Sequence, residues 1–175
     1  MTNIGVIEQF LPADRINTIN QIIEDYQVKA QKVMNKPYIT AHRDLYPKDS
    51  PIGAATQNWS NTFNASSTEK VCGVTGVTKI DSAQAVLILG WYTTADFGND
   101  SRFYIKINDS IKSNVNARTV YTQPGHFLIT PKLLAFAKEN DDIEINVENA
   151  LTIDVDAIVF PIAILYGEPS ILGVD

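Results

Sequence analysis

Two different hydrophobic periods divide the chain. Between residues 14 and 33, apolar residues recur at alternating intervals of three and four, which is the repeat of a helix with one apolar face. From Val71 onward, short runs alternate apolar and polar residues, which is typical of half-buried strands. The pattern therefore predicts one N-terminal helix followed by a region made mainly of β-strands.

The predicted helix begins near Asp14, whose carboxylate can accept hydrogen bonds from the free amides of the first turn. It ends before Pro37, because the residue that precedes a proline is disfavoured in the helical conformation. Its apolar positions form a heptad-like seam, namely Ile16, Ile19, Ile23, Tyr26, Ala30 and Val33. Two interpretations stay open: the seam packs on the domain's own core, or it associates with other copies. As a coiled coil it is short, so an attached oligomeric domain would have to help.

Residues 38–70 are rich in Pro, Gly, Asn, Ser and Thr, which favour turns and loops. Connections of this length are uncommon inside a compact domain and are usually functional. Trp59 and Phe63 lie within this stretch, and aromatic side chains of their size are seldom left in water. We therefore expect an irregular arm that packs on its own domain or on a neighbouring copy.

The rest of the chain predicts seven short strands bounded by polar turns. They cover residues 71–80, 85–92, 102–109, 126–129, 143–148, 151–155 and 158–166. Pro161 indicates an edge position or a bulge in the last strand, and residues 133–137 are compatible with one helical turn. The predicted fold is mainly β: a single jelly-roll-like antiparallel β-sandwich or barrel over residues 71–175. It follows an N-terminal segment with an amphipathic helix (1–37) and the irregular arm (38–70).

Charge and composition exclude several classes of protein. The net charge is −6, and it is concentrated after residue 80, where the sequence has six basic and thirteen acidic residues. Direct binding to nucleic acid is not expected, because phosphate affinity comes from clustered Lys and Arg. The longest apolar run, residues 157–166, is too short to span a bilayer. With no secretory signal evident, the sequence predicts a soluble protein made in the cytoplasm.

Catalytic chemistry has little support in the sequence. The single cysteine, Cys72, lies in an apolar strand start, where a free thiol usually serves as a small buried hydrophobe. No nucleotide-binding motif and no nucleophile elbow occurs, so we expect no cofactor and no enzyme. A hydrolase that uses Asp154 and Asp156 is kept as a minor alternative, because two carboxylates are the minimum for glycoside hydrolysis. The solvated face of a sheet explains the same alternation better.

Two acidic loops offer oxygen ligands of the kind that calcium prefers. Their candidate ligands are Asp96, Asn99, Asp100, Asp141 and Asp142. The same residue types are also those that hairpin turns favour, so we predict no metal site here.

Aromatic residues near the second strand offer a candidate ligand surface. Trp91, Tyr92 and Phe97 precede a predicted loop that ends at Arg102, and loops of β scaffolds commonly carry binding functions. Since Trp91 and Tyr92 are adjacent on a strand, one should point inward and the other outward. A glycan- or receptor-binding module is therefore the alternative function.

The C-terminal hundred residues resemble the jelly-roll or β-sandwich domains of phage and archaeal virus structural proteins. The resemblance is carried by residues 103–108, 125–131, 139–149 and 159–167, in which strands alternate with Asn/Asp turns and end on an apolar strand. It implies a non-enzymatic virion protein, a capsid or capsid-associated subunit located in the virion, with no catalytic residue. Its partners would be other virion proteins and copies of itself, as a homo-oligomer of three or more subunits. The expected interface is the helix seam with Trp59 and Phe63.

Overall fold

The fold is known from a computed structural model that describes residues 11–46, 49, 59–72 and 79–174, without the side chain of Cys72. It is mainly β, with two antiparallel sheets and one long N-terminal helix. The helices are α1 (Ala13–Met34), α2 (Ala117–Tyr121) and α3 (Pro169–Leu172). The strands are β1 (Ala41–Asp44), β2 (Ser60–Phe63), β3 (Ser67–Cys72), β4 (Ala85–Thr93), β5 (Arg102–Ile107), β6 (Ser110–Asn116), β7 (Phe127–Ile129), β8 (Ala135–Lys138), β9 (Ile143–Asn149) and β10 (Val155–Gly167).

Sheet 1 is built around the two longest strands, β4 and β10. One edge of β10 pairs with β2 over residues 155–158 and with β1 over residues 164–167, and its other edge pairs with β4. The far edge of β4 pairs with both β7 and β8. Two short strands therefore stand in for one long strand at each edge of this sheet.

Pro161 fits the gap between the two partners on that edge of β10. It lies between the stretch paired with β2 and the stretch paired with β1, where a missing backbone N–H interrupts no ladder between described strands. The register against β4 also shifts one residue after it, between Ile162 and Ala163. Of the two expectations for Pro161, an edge position or a bulge, this shift supports the bulge, because β10 has partners on both edges.

Sheet 2 has the strand order β3-β9-β5-β6. Its inner face carries apolar side chains at every second position of β5 and β9, as the alternation predicted. On its outer face Glu144 lies 3.0 Å from the Lys70 amine and 3.9 Å from the Lys106 amine. The hydrogen bond from Lys70 is the main cause that lowers the pKa of Glu144. The acidic residues of β9 therefore belong to a charged outer face.

The core lies in two clusters of buried side chains. The larger cluster contains residues from both sheets, and in it the ring of Phe103 contacts the rings of Trp91 and Phe97. The second cluster lies between α1 and the opposite face of sheet 1, where Leu87, Ile164 and their neighbours contact the helix. Sheet 1 therefore contributes buried side chains to a core cluster on each of its faces, which explains why β4 is an almost uninterrupted apolar run.

Helix α1 begins and ends close to the predicted positions, and its seam packs on the chain's own sheet. Ile19, Ile23 and Ala30 are buried in the cluster with sheet 1, together with Met34 at the end of the helix. The Tyr166 hydroxyl donates to the carbonyl of Ile23 at 2.8 Å and fixes the helix on the sheet. Of the two interpretations of the seam, packing on the domain's own core is the one observed.

The irregular structure expected for residues 38–70 is wrong where the structure describes this stretch. It contains β1, β2 and the start of β3, which belong to the two sheets. The polar composition hid them, because β1 and β2 are only four residues long and mostly exposed. Arg43 also makes two hydrogen bonds to the buried carboxylate of Asp49, at 2.7 and 2.8 Å, which anchors the turn after β1.

Smaller differences concern the ends of elements. The helical turn expected at 133–137 is a 3₁₀ turn, Pro131–Leu133, followed by strand β8. The strand expected at 151–155 is instead a bend that leads into β10. No helix within the described residues is long and apolar enough to cross a membrane.

Candidate functional site

Three aromatic residues form a row, which we call the aromatic strip: Tyr92, Phe160 and Trp59. Tyr92 and Phe160 lie on the outer face of sheet 1, which also carries α1, whereas Trp59 packs against the core between the sheets. The rings of Tyr92 and Phe160 are stacked, with centroids 4.7 Å apart and planes inclined by 24°. Trp59 continues the row with its ring 6.0 Å from Phe160. All three side chains are only partly buried, so the strip is accessible from outside.

Strand register explains why these residues meet. Phe160 of β10 lies directly opposite Tyr92 of β4, so both side chains project from the same face of the sheet. Trp59 directly precedes β2, and its carbonyl accepts a hydrogen bond from Val159 at 3.3 Å. The strip therefore depends on pairing between strands far apart in the sequence.

Further along β10, the same outer face changes from apolar to polar. Ile158 is 40% exposed beside the strip. Beyond it, the carboxylate of Asp156 accepts a hydrogen bond from the Thr62 hydroxyl at 2.6 Å. The surface thus combines aromatic rings, an exposed isoleucine and one carboxylate.

The ring geometry limits what the strip can bind. Phe160 lies between two rings, so its faces are largely occupied by Tyr92 and Trp59. A partly buried row of rings of this kind suits apolar contacts with another protein surface. A sugar ring, which stacks on an aromatic face, would have to use Trp59 or Tyr92 at the ends of the row.

Only one residue of the ligand surface expected from the sequence belongs to the strip. Trp91 and Phe97 are fully buried in the core between the sheets, and Arg102 is exposed but paired with Glu148 at 2.8 Å. Tyr92 alone lies on the outer face, as the alternation required for one of the two adjacent aromatics. Sequence reasoning did not associate Phe160 with it, although the period of two in β10 places Phe160 on the face of Ile158.

Seven of the eight expected interface residues are buried or partly buried within the chain itself. Ile19, Ile23, Ala30 and Phe63 are buried in its own core, so they are not available to another copy without local unfolding. Ile16, Tyr26 and Trp59 are partly buried. Val33 is the exception, with 51% of its surface exposed.

The carboxylate pair Asp154 and Asp156 has structural partners. Asp154 accepts from the backbone N–H of Ala65 at 2.8 Å, and Asp156 accepts from Thr62. Both interactions join the start of β10 to β2 and the turn after it. The two carboxylates therefore help to hold the edge strand β2 against β10.

The candidate calcium ligands lie in two loops at opposite ends of β5. Asp96 accepts from the backbone of Gly98, and Asn99 accepts at its carbonyl from Asn116. Asp141 accepts from the Asn108 side chain and from Lys138 N–H, while Asn108 accepts from the backbone N–H of Asp142. Among the described residues, no group of three or more His, Cys, Asp or Glu side chains is placed to hold a metal ion. Asp100 is an exposed residue of the first loop.

Comparison with known proteins gives no family for this chain: no family model matches it, and no curated protein is similar in sequence. The site must therefore be interpreted from its own chemistry. Its main features are the aromatic strip and the exposed side chain of Ile158.

Proposed function

We propose that the chain is a non-enzymatic virion structural protein built on a jelly-roll sandwich. The observation that carries this proposal is the strand order. If β1 with β2, and β7 with β8, are each counted as one interrupted strand, there are eight strands. The first then pairs with the eighth, the second with the seventh, the third with the sixth and the fourth with the fifth. This nesting is what a long hairpin produces when it rolls up into two sheets, and jelly rolls recur in capsid proteins.

The chemistry of the surface supports an assembly role over an enzymatic one. Four of the carboxylates singled out in the sequence accept hydrogen bonds in turns or beside paired strands, namely Asp96, Asp141, Asp154 and Asp156. The aromatic strip instead offers apolar surface on an accessible sheet face, and Ile158 enlarges it. Apolar and aromatic residues of this kind dominate the centres of protein interfaces.

We place the self-assembly contact on the aromatic strip, because the helix seam is already occupied by sheet 1. In this arrangement two or more copies bury Trp59, Phe160, Tyr92 and Ile158 between them. The acidic residues of the outer face of sheet 2 stay exposed, away from the contact.

Sedimentation velocity of the full chain tests this assignment. The wild-type protein should sediment as a homo-oligomer, and Ile158→Asp should weaken its association at least tenfold, because a charge would be buried at the contact. Ile111→Asp is the matched control, since Ile111 is 55% exposed on a strand of sheet 2. A monomeric wild type, or equal loss with Ile111→Asp, would contradict the proposed contact.

The virion assignment itself is tested by genomic context. Packaging, portal or tail genes beside the coding sequence would support it. A neighbourhood of metabolic genes would count against it.

Glycan or receptor binding is the second candidate, favoured by the partly buried ring of Trp59, which directly precedes the strand that carries Thr62. Under this alternative, Trp59→Ala should abolish binding on a glycan array while Phe160, whose faces are occupied, contributes less. Array binding that survives Trp59→Ala would reject the strip as a sugar platform.

A further inference from the structure

A second surface feature borders the aromatic strip: a cleft of about 720 Å³ between the first half of α1 and strand β7, whose Phe127 lies opposite Tyr92 in the strand register. Its apolar wall is formed by Ile19, Ile22, Leu89, Phe127, Ile129 and Leu134. Ligand pockets in proteins commonly enclose 300–1,000 Å³ and are lined mainly by such residues. The cleft is therefore large enough for a small apolar molecule.

The polarity of the cleft changes along the helix. Among the described residues that line the cleft, Asp14 and Arg15 in the first turn of α1 are the charged ones. Ile22 lies seven residues after Arg15, which corresponds to roughly 10 Å along a helix axis. The cleft thus has one charged end and an apolar body, and this division matches an amphiphile with a single chain.

Arg15 determines which head group fits that end. Its guanidinium has no hydrogen bond and no ion pair with any other residue that the structure describes, and it is exposed. A cation near a helix N-terminus is unfavourable, whereas Asp14 occupies the position in which the helix dipole stabilises an anion. An additional carboxylate beside Arg15 would offset that unfavourable charge.

We propose that this cleft binds a single-chain amphiphile with a carboxylate head, that is, a molecule of the fatty-acid class. The head contacts Arg15, and the chain lies along Ile22 and Ile129. The binding site does not depend on the structural role proposed above.

Titration calorimetry of the full chain with decanoate, below its micelle concentration, tests the proposal. We expect saturable binding of one molecule per chain. Arg15→Gln should weaken decanoate at least tenfold, because a hydrogen bond between two charged groups is lost. The same variant should change the affinity for decyltrimethylammonium, which has the same chain and a cationic head, by less than twofold. Ile22→Ser should weaken both probes.

Lys112→Gln is the charge-matched control, because Lys112 is an exposed cation on β6. It should bind decanoate like the wild type. Melting temperatures measured alongside identify any variant that fails to fold, and chemical-shift changes of Ile22 in the wild type locate the probe independently. Absent saturation, equal affinity for both head groups, or loss of affinity with Lys112→Gln would overturn the proposal. Binding only after deletion of residues 1–10 would also overturn it and would assign the cleft to the chain's own N-terminus.

Discussion

At the scale of single residues, Asn149 has the most demanding position. It is 1% exposed, and its amide nitrogen donates to the carbonyls of Phe63, Asn64 and Ile153 at 3.0–3.1 Å. Its side-chain oxygen accepts from Leu151 N–H at 3.0 Å. One amide therefore satisfies four backbone groups where the end of β9 meets the turn after β2.

Replacing the side-chain amide of Asn149 should lower the stability of the fold. In Asn149→Asp a carboxylate would face three carbonyl oxygens, so we expect a loss of about 3 kcal/mol in the free energy of unfolding. Urea denaturation measures it. Asn114→Asp, on the exposed face of β6, is the control and should change stability by less than about 0.5 kcal/mol. Similar losses for the two variants would contradict this account.

Glu139 makes stability depend on pH. The hydrogen bond from Ala83 N–H, and then the ion pair with Lys36, hold the pKa of Glu139 below its ordinary value of 4.5. Because the folded pKa is lowered, this contribution is complete above pH 4.5 and is lost as pH falls through the folded value. Glu139→Gln should flatten the acid dependence in that window, measured by denaturation at several pH values. Glu24→Gln, an exposed substitution on α1, should keep the wild-type profile.

At the scale of elements, the helix was the most predictable part of the structure and β1 to β3 the least. The apolar period of α1 extends over six turns and sets its face regardless of context. β1 and β2 have no comparable pattern, since each gains its partner only from β10, more than ninety residues later. A strand that is stabilised by so distant a partner leaves little local signal.

The burial of the helix seam has a direct test. Ile23 is 2% exposed against sheet 1, so Ile23→Ala should cost about 3 kcal/mol of folding free energy through the cavity it leaves. Val33→Ala, at a seam position that is 51% exposed, should cost about 0.5 kcal/mol or less. Thermal unfolding at two protein concentrations makes the comparison. An Ile23→Ala effect that appears only in the concentration-dependent, associated form would indicate that the seam lies between copies.

At the scale of the whole molecule, the sequence predicted the class but not the site. Alternation of apolar residues indicated two-faced strands, and the structure has two antiparallel sheets with the acidic residues of β9 on an outer face. The aromatic strip was not predictable, because Tyr92, Phe160 and Trp59 meet only through strand pairing. Their proximity to Tyr92 in the sequence suggested Trp91 and Phe97 instead, but both side chains are buried in the core.

The thirteen residues of β10 also govern the order in which the protein can be completed during synthesis. β1, β2 and β4 all pair with this strand, so sheet 1 lacks its central member until the ribosome has passed Gly167. Until then the apolar faces of β4 and α1 have no full cover and are exposed to chaperones and to aggregation. Such non-local pairing is slow to form, which predicts that sheet 1 closes on the timescale of milliseconds to seconds once β10 is available. Nascent chains stalled before Val155 should therefore remain protease-sensitive throughout sheet 1.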